Sequence, residues 1–482
     1  MTPSSLAIPA ASDRLPRSAD RPRIVVIGGG PGGYEAALTA ARLGAEVTLV
    51  TDSGLGGAAV LTDVVPSKTL IATADVLDLV SGSGTLGIRD ADTAGSPATG
   101  ALTVDLAAVN ARLRRLAQAQ SLDVRAGLEE AGVRILCGRG RLIGPGRVSA
   151  AGEELEADAI LLALGATPRI LPEARPDGER ILTWTQLYDL QELPSHLIVV
   201  GSGVTGAEFA SGYRALGSEV TLVSSRDQVL PGTDGDAAAV LGSAFRRRGI
   251  AVRSRSRASA ARREGEGVVV TLEHGEELRG SHVLIAVGAV PSTQGLGLEA
   301  AGVRLRPSGH IETDRVSRTS VRGIYAAGDC TGVLPLASVA AVQGRTAMHH
   351  ALGEAVAPLL TGHVASAVFT SPEIAVVGAS EEDVVAGRVA GEVRTFPLAT
   401  NARAKMQGVR EGFVKLIVHP GTLTVLGGVV VAPRASELIH PIALAVEHRL
   451  SAEQLAGVST VYPSLSGSLA EAARQASMAL FD

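Results

Sequence analysis

Apolar residues cluster along the chain in two kinds of pattern. Residues 23–50 read RIVVIGGGPGGYEAALTAARLGAEVTLV: a short apolar run, a glycine turn, an alanine-rich stretch with helical spacing, and a second apolar run. That order predicts strand, turn, amphipathic helix and strand, a βαβ unit. Residues 196–223 (HLIVVGSGVTGAEFASGYRALGSEVTLV) repeat it. Residues 159–169 (AILLALGATPR) and 282–292 (HVLIAVGAVPS) share another form, an apolar strand broken at glycine and proline, and read as hinges where the chain crosses between domains. From about residue 351 the pattern changes to alternating stretches (GFVKLIVH, LTVLGGVVVA) followed by helical ones, as expected of a separate α+β domain.

These signals predict an α/β chain with two Rossmann-like dinucleotide-binding domains and a C-terminal α+β domain. The first domain is expected to be discontinuous (23–165 and 282–350), interrupted by the second (166–281), with 351–482 as the third. Residues 1–22, rich in Pro, Ser and Ala and lacking a basic leader segment, read as a disordered tail. The length of 482 residues, with 46% hydrophobic and 19% charged residues, supplies ample core. A net charge of −5 argues against a nucleic-acid footprint or a polybasic membrane surface. Without an apolar stretch of about 18 residues, no integral membrane segment is expected.

Cys137 and Cys330 are the only cysteines, too far apart in sequence to form a disulfide framework or a metal-ligand spacing. They fit a reducing, cytoplasmic setting, and both read as small buried residues. The ten histidines, His349 and His350 included, follow no ligand pattern, so no metal site is proposed.

Gly28, Gly30 and Gly33 form G-x-G-x-x-G, and Gly201, Gly203 and Gly206 form it again. The first glycine permits the tight turn, the second admits a pyrophosphate to the backbone, and the third packs helix on strand. Two complete copies imply two dinucleotides, best explained as FAD plus a nicotinamide nucleotide. Within TSVRGIYAAGDCTG, Gly328 and Asp329 end a strand, and a carboxylate there suits the hydroxyls of a ribityl chain.

With these motifs the sequence resembles the pyridine nucleotide-disulfide oxidoreductase family, which includes lipoamide dehydrogenase, glutathione reductase and mercuric reductase. The resemblance covers residues 23 to about 480. It implies FAD on the first unit, NADPH or NADH on the second, and a homodimer whose C-terminal domain completes the partner's active site. It also assigns Gly57, Gly165 and Gly288 to the cofactor-binding turns. Lys68, one of three lysines, matches the family lysine beside flavin N5, and Glu208 matches its ion-pair partner. The acidic residue expected for the FAD adenosine ribose falls on Thr51, with Asp52 one position late.

Two departures stand out. Where the family reads G-G-x-C-x-x-x-x-C-x-P-S-K, the chain reads GGAAVLTDVVPSK, with Ala59 and Val64 in the places of the redox cysteines. Dithiol chemistry is therefore excluded at this locus. The family's C-terminal H-P-T-x-S-E appears as Tyr462-Pro463-Ser464-Leu465-Ser466-Gly467, so the His and Glu that serve those thiols are absent as well. The pattern is similar to the actinobacterial subgroup of NAD(P)H-quinone reductases that lacks the redox disulfide.

That resemblance implies a hydride passed from NAD(P)H to FAD and directly on to a quinone or similar small acceptor. Tyr462, from the other subunit, is placed to hydrogen-bond a quinone oxygen or simply to pack. At the end of the second unit Ser224 stands where NAD-preferring relatives have an acidic residue, followed by Ser225 and Arg226; two hydroxyls and an arginine can bind a 2′-phosphate, which favours NADPH with NADH tolerated. Two rival readings remain at this stage: a soluble pyridine-nucleotide transhydrogenase or diaphorase, and a non-catalytic redox-sensing flavoprotein that binds a protein partner.

Overall fold

The computed structural model describes residues 21–88 and 102–478; the tail read over residues 1–22 falls, up to residue 20, outside them. The chain folds into two compact units. Of the described residues, one comprises 21–61, 117–167 and 290–359, the other 62–88, 102–116, 168–289 and 360–478.

The first unit is built on a five-stranded sheet in the order Ile324–Ala326, Ala159–Leu162, Arg23–Ile27, Glu46–Thr51, Arg134–Cys137. Every pair in it is parallel, with Arg23 opposite Glu46 and Ile24 opposite Ala159. Near-continuous apolar strands are what a sheet covered on both faces requires. Ile24, Val26 and Leu49 pack on one face with Ala36, Ala37 and Ala40 of the helix Pro31–Arg42. Val25, Ile27 and Val50 pack on the other with Leu142 and Val148, which belong to an antiparallel three-stranded meander. The helix Ala337–Ala351 crosses the glycine helix so closely that a Cβ on Gly344 would lie 2.1 Å from the Gly32 carbonyl oxygen.

The second unit repeats this plan. Its parallel sheet runs Ala251–Arg253, Glu219–Val223, His196–Val200, His282–Ile285, Ile181–Leu182, beside a three-stranded antiparallel sheet. It also holds the antiparallel five-stranded sheet of the C-terminal region, centred on Phe413–Val418 and Val425–Ala432. The helix Val64–Gly82 packs on Val204–Leu216, where Gly212 leaves room for Leu70.

Lys415 sits in the middle of that last sheet with no solvent exposure. Its ammonium is held by Asp234 at 2.8 Å, Asp236 at 2.7 Å and Glu381. A buried cation is tolerated only when carboxylates meet it in this way. No helix among the described residues is long and apolar enough to cross a membrane.

Candidate functional site

The two glycine turns are nearly superposable in their local geometry. Gly28 has φ +111° and Gly201 φ +110°, values open to glycine and strained for other residues. A Cβ on Gly33 would lie 1.9 Å from the Gly28 carbonyl oxygen, and one on Gly206 would lie 1.8 Å from that of Gly201. Both helices start at a glycine N-cap, Gly30 or Gly203, without a side-chain cap. Apart from Gly33, whose N–H turns back to the Gly30 carbonyl at 2.9 Å, and Pro31, which has none, the N–H groups of these first turns can meet an external acceptor, the arrangement that receives a phosphate.

The surroundings differ. In the first unit a second helix, Gly57–Leu61, abuts the turn: a Cβ on Gly57 would fall 2.7 Å from Gly30 Cα, and Gly56 N–H donates to the Gly29 carbonyl at 2.8 Å. Asp329 stands on the short turn after Ile324–Ala326. Its side chain makes no hydrogen bond or ion pair among the described residues, and burial raises its carboxyl above the ordinary range. A half-buried carboxylate of this kind is free to accept hydrogen bonds from hydroxyl donors. Gly328, with φ +81°, donates its N–H to Gln343 Oε1 at 2.8 Å, so the helix Ala337–Ala351 holds the turn. Cradle, uncapped N-terminus and unpartnered carboxylate together fit the pyrophosphate and polyol of FAD. Asp52 is exposed just beyond the strand, while Thr51 is buried and donates to the Gly54 carbonyl. Gly165 accepts from Ser292 N–H at 3.1 Å in this unit, and Gly288 from Arg169 N–H at 2.9 Å in the other.

Around Gly203, by contrast, a Cβ would meet nothing within 4 Å. At the end of the following strand, the Ser224 hydroxyl is fully buried, 2.7 Å from Ser202 Oγ and 3.1 Å from the Arg226 amide. It is consumed in shaping the turn and is unavailable to a phosphate, contrary to the sequence expectation; Ser225 and Arg226 remain exposed. Arg255 joins them through its N–H to the Arg226 carbonyl at 3.0 Å, its guanidinium paired with Asp227. Only the run RSRSR at residues 253–257 hinted at this basic edge.

Lys68 and Glu208 are brought together in the second unit. Lys68 Nζ donates to Glu208 Oε2 at 2.6 Å, from the helix Val64–Gly82 to the helix Val204–Leu216. The Glu208 side chain is 4% exposed and that of Lys68 27%. The other carboxylate oxygen, Oε1, accepts from Phe369 N–H at 2.9 Å, and the Phe369 ring lies 4.9 Å from Lys68 Nζ. Phe369 was not singled out by sequence; its partners are more than a hundred residues away. Behind Glu208, Phe209 packs against Tyr188 and Tyr213, whose phenols burial pushes up.

Tyr462 is 85% exposed on the loop before the helix Gly467–Met478, with exposed Val458 and Val461 nearby in sequence. Cys330 is fully buried, its thiol pushed up to about 12 by burial, as a packing residue should be. Cys137 departs from expectation: it is exposed, because it ends the edge strand of the first sheet. Among the described residues, no group of three His, Cys, Asp or Glu could hold a metal ion.

Comparison with known proteins agrees with this geometry. Residues 22–344 match the family model described as pyridine nucleotide-disulphide oxidoreductase, and residues 364–473 match that family's dimerisation domain. An NAD(P)H dehydrogenase (quinone) of Mycobacterium tuberculosis is 53% identical over 468 residues, covering 94% of this chain and 93% of the relative. A dihydrolipoyl dehydrogenase of Chlorobaculum parvum is 34% identical over 93% of this chain and 96% of its own. Among solved structures, LpdA from Mycobacterium tuberculosis superposes with a TM-score of 0.89 at 52% identity, over 94% of this chain and 99% of that one. The chain belongs to the pyridine nucleotide-disulphide oxidoreductase family.

Proposed function

We propose that the protein is an FAD-dependent NAD(P)H:quinone oxidoreductase that works without a redox disulfide. The observation that carries this reading is the combination of an intact Lys68–Glu208 pair, at 2.6 Å, with Ala59 and Val64 at the positions of the family's two cysteines. The name of the relative at 53% identity, NAD(P)H dehydrogenase (quinone), supports it.

FAD, when bound, supplies the two-electron chemistry. The turn Gly28–Gly30–Gly33, with Gly57, receives its pyrophosphate; Asp329 beside Gly328 takes the polyol, Asp52 serves the adenosine ribose, and Gly165 keeps the chain clear. Gly201, Gly203, Gly206 and Gly288 serve the nicotinamide nucleotide. Ser225 and Arg226 can bind a 2′-phosphate, which favours NADPH with NADH tolerated. Lys68 would supply a cation beside the bound FAD, and Glu208 holds that cation in place. With no thiolate at 59 or 64, electrons must leave to a small acceptor directly. Tyr462, supplied by the second subunit of a homodimer, donates a hydrogen bond or proton to a quinone oxygen. We assign 23–165 with 282–350 to FAD, 166–281 to NAD(P)H and 351–482 to the dimer interface, in a cytoplasmic protein.

Anaerobic stopped-flow tests the reading: the yellow protein is mixed with NADPH or NADH, then with quinones, NAD+ or a disulfide. Fast bleaching followed by fast reoxidation with quinone alone is expected. Reoxidation by NAD+ alone would make it a transhydrogenase, and failure to bleach would leave a non-catalytic binding protein.

A further inference from the structure

The Lys68–Glu208 pair is clamped by a third group from a distant part of the chain. Phe369 uses both of its interaction surfaces there: its N–H occupies Glu208 Oε1 at 2.9 Å, and its ring faces Lys68 Nζ at 4.9 Å. An ammonium within about 6 Å of a ring centroid is attracted by the π-face, more strongly where water is scarce. The placement of Phe369 is itself fixed. Two residues on, Ser371 N–H donates to Ser211 Oγ at 3.2 Å, so two alternate amides of this segment grip Glu208 and Ser211, one turn apart on the same helix. Arg248, which reaches Ser211 at 3.5 Å, also holds Asp78 on the lysine helix at 2.7 and 2.6 Å.

Lys68 is 27% exposed and has one carboxylate contact, so without the ring its long side chain would be free to swing about Glu208. We propose that Phe369 is a positioning residue for the proposed oxidoreductase reaction: its ring restrains the Lys68 ammonium while its amide holds Glu208, so that the cation stays aimed at one point. The inference rests on the role given to Lys68 above. It adds that the C-terminal region contributes to that role through one residue, whose ring faces Lys68 and whose backbone N–H holds Glu208.

A double-mutant cycle of Phe369→Leu and Lys68→Met tests it, read in two ways. In FAD-free protein, the two substitutions should be non-additive in thermal unfolding, as contacting residues are. In holoenzyme with parental FAD content, Phe369→Leu should slow flavin reduction by NAD(P)H about five- to tenfold at unchanged nucleotide affinity. It should also move the flavin midpoint potential in the same direction as Lys68→Met does, and have no further effect in the Lys68→Met background. Phe369→Tyr, which keeps the ring, should recover most of the rate.

Additive effects in both readouts, or a slow Phe369→Tyr enzyme matching Phe369→Leu, would overturn the inference and leave the role of Lys68 standing. If Lys68→Met reduces at the parental rate, the role of Lys68 fails; non-additive unfolding would then still establish the clamp but deprive it of function.

Discussion

The two glycine turns share one motif and nearly one backbone, yet their neighbourhoods are opposite. Above the first, Gly57 closes in on Gly30, and Asp329 stands ready with Gln343 fixing its turn. Above the second, the space around Gly203 is open and the available groups are exposed polar and basic side chains at the strand end. A phosphate-binding turn thus makes binding possible, while what is packed around it decides residence. On the proposed reading, the walled turn suits a cofactor that stays and the open one a nucleotide that comes and goes.

The two turns should part most widely when the third glycine of each motif is filled. Gly33→Ala and Gly206→Ala drive a Cβ into a carbonyl oxygen at 1.9 and 1.8 Å. The first should be isolated colourless, with under about a tenth of the parental FAD; the second should stay yellow while its KM for NAD(P)H rises about a hundredfold. Equal loss of FAD from both would erase the distinction. Next, Gly57→Ala meets Gly30 Cα at 2.7 Å and should speed FAD release about tenfold, whereas Gly203→Ala, which meets nothing, should leave FAD in place and raise the nucleotide KM about tenfold by filling the phosphate's approach. FAD retention by spectrum and steady-state KM values check both.

A smaller change sharpens the open site. Arg226→Ala should raise the KM for NADPH about five- to tenfold and that for NADH by less than about twofold. Parallel changes for the two nucleotides would mark Arg226 as a surface charge. The smallest effect belongs to the walled site. Burial raises the Asp329 carboxyl, so without FAD the ionised form costs stability at pH values above the raised value. That cost disappears as pH falls through the raised value towards the ordinary 3.8. FAD-free Asp329→Asn should therefore be more stable than the parent at pH 7, and the gain should vanish as pH falls to the ordinary carboxylate range. Thermal unfolding across pH reads this directly, and Asp329→Asn should at the same time weaken FAD retention.

Strands and glycine helices were legible because their signals are local: apolar period, glycine spacing and strand ends within thirty residues or so. Lys68 and Glu208 were legible only through family resemblance, since nothing in the intervening sequence says that two helices bring them together. Phe369 and Gln343 were not legible, because a phenylalanine in an apolar run or a glutamine in a helix carries no mark of its distant partners. Lys415 likewise carries no local sign, in its apolar strand, that Asp234, Asp236 and Glu381 converge on it and that it is fully buried. Cys137 misled because strand order, which puts it at an edge, is not written in the strand itself.

The most direct measurement of the central claim, that electrons pass from flavin to acceptor with no thiol between, is an anaerobic reductive titration of the purified holoenzyme. Complete bleaching at one two-electron equivalent of dithionite per FAD is expected, with no further uptake. A second two-electron equivalent, or long-wavelength absorbance from a thiolate beside the flavin, would reveal another redox group and contradict the account.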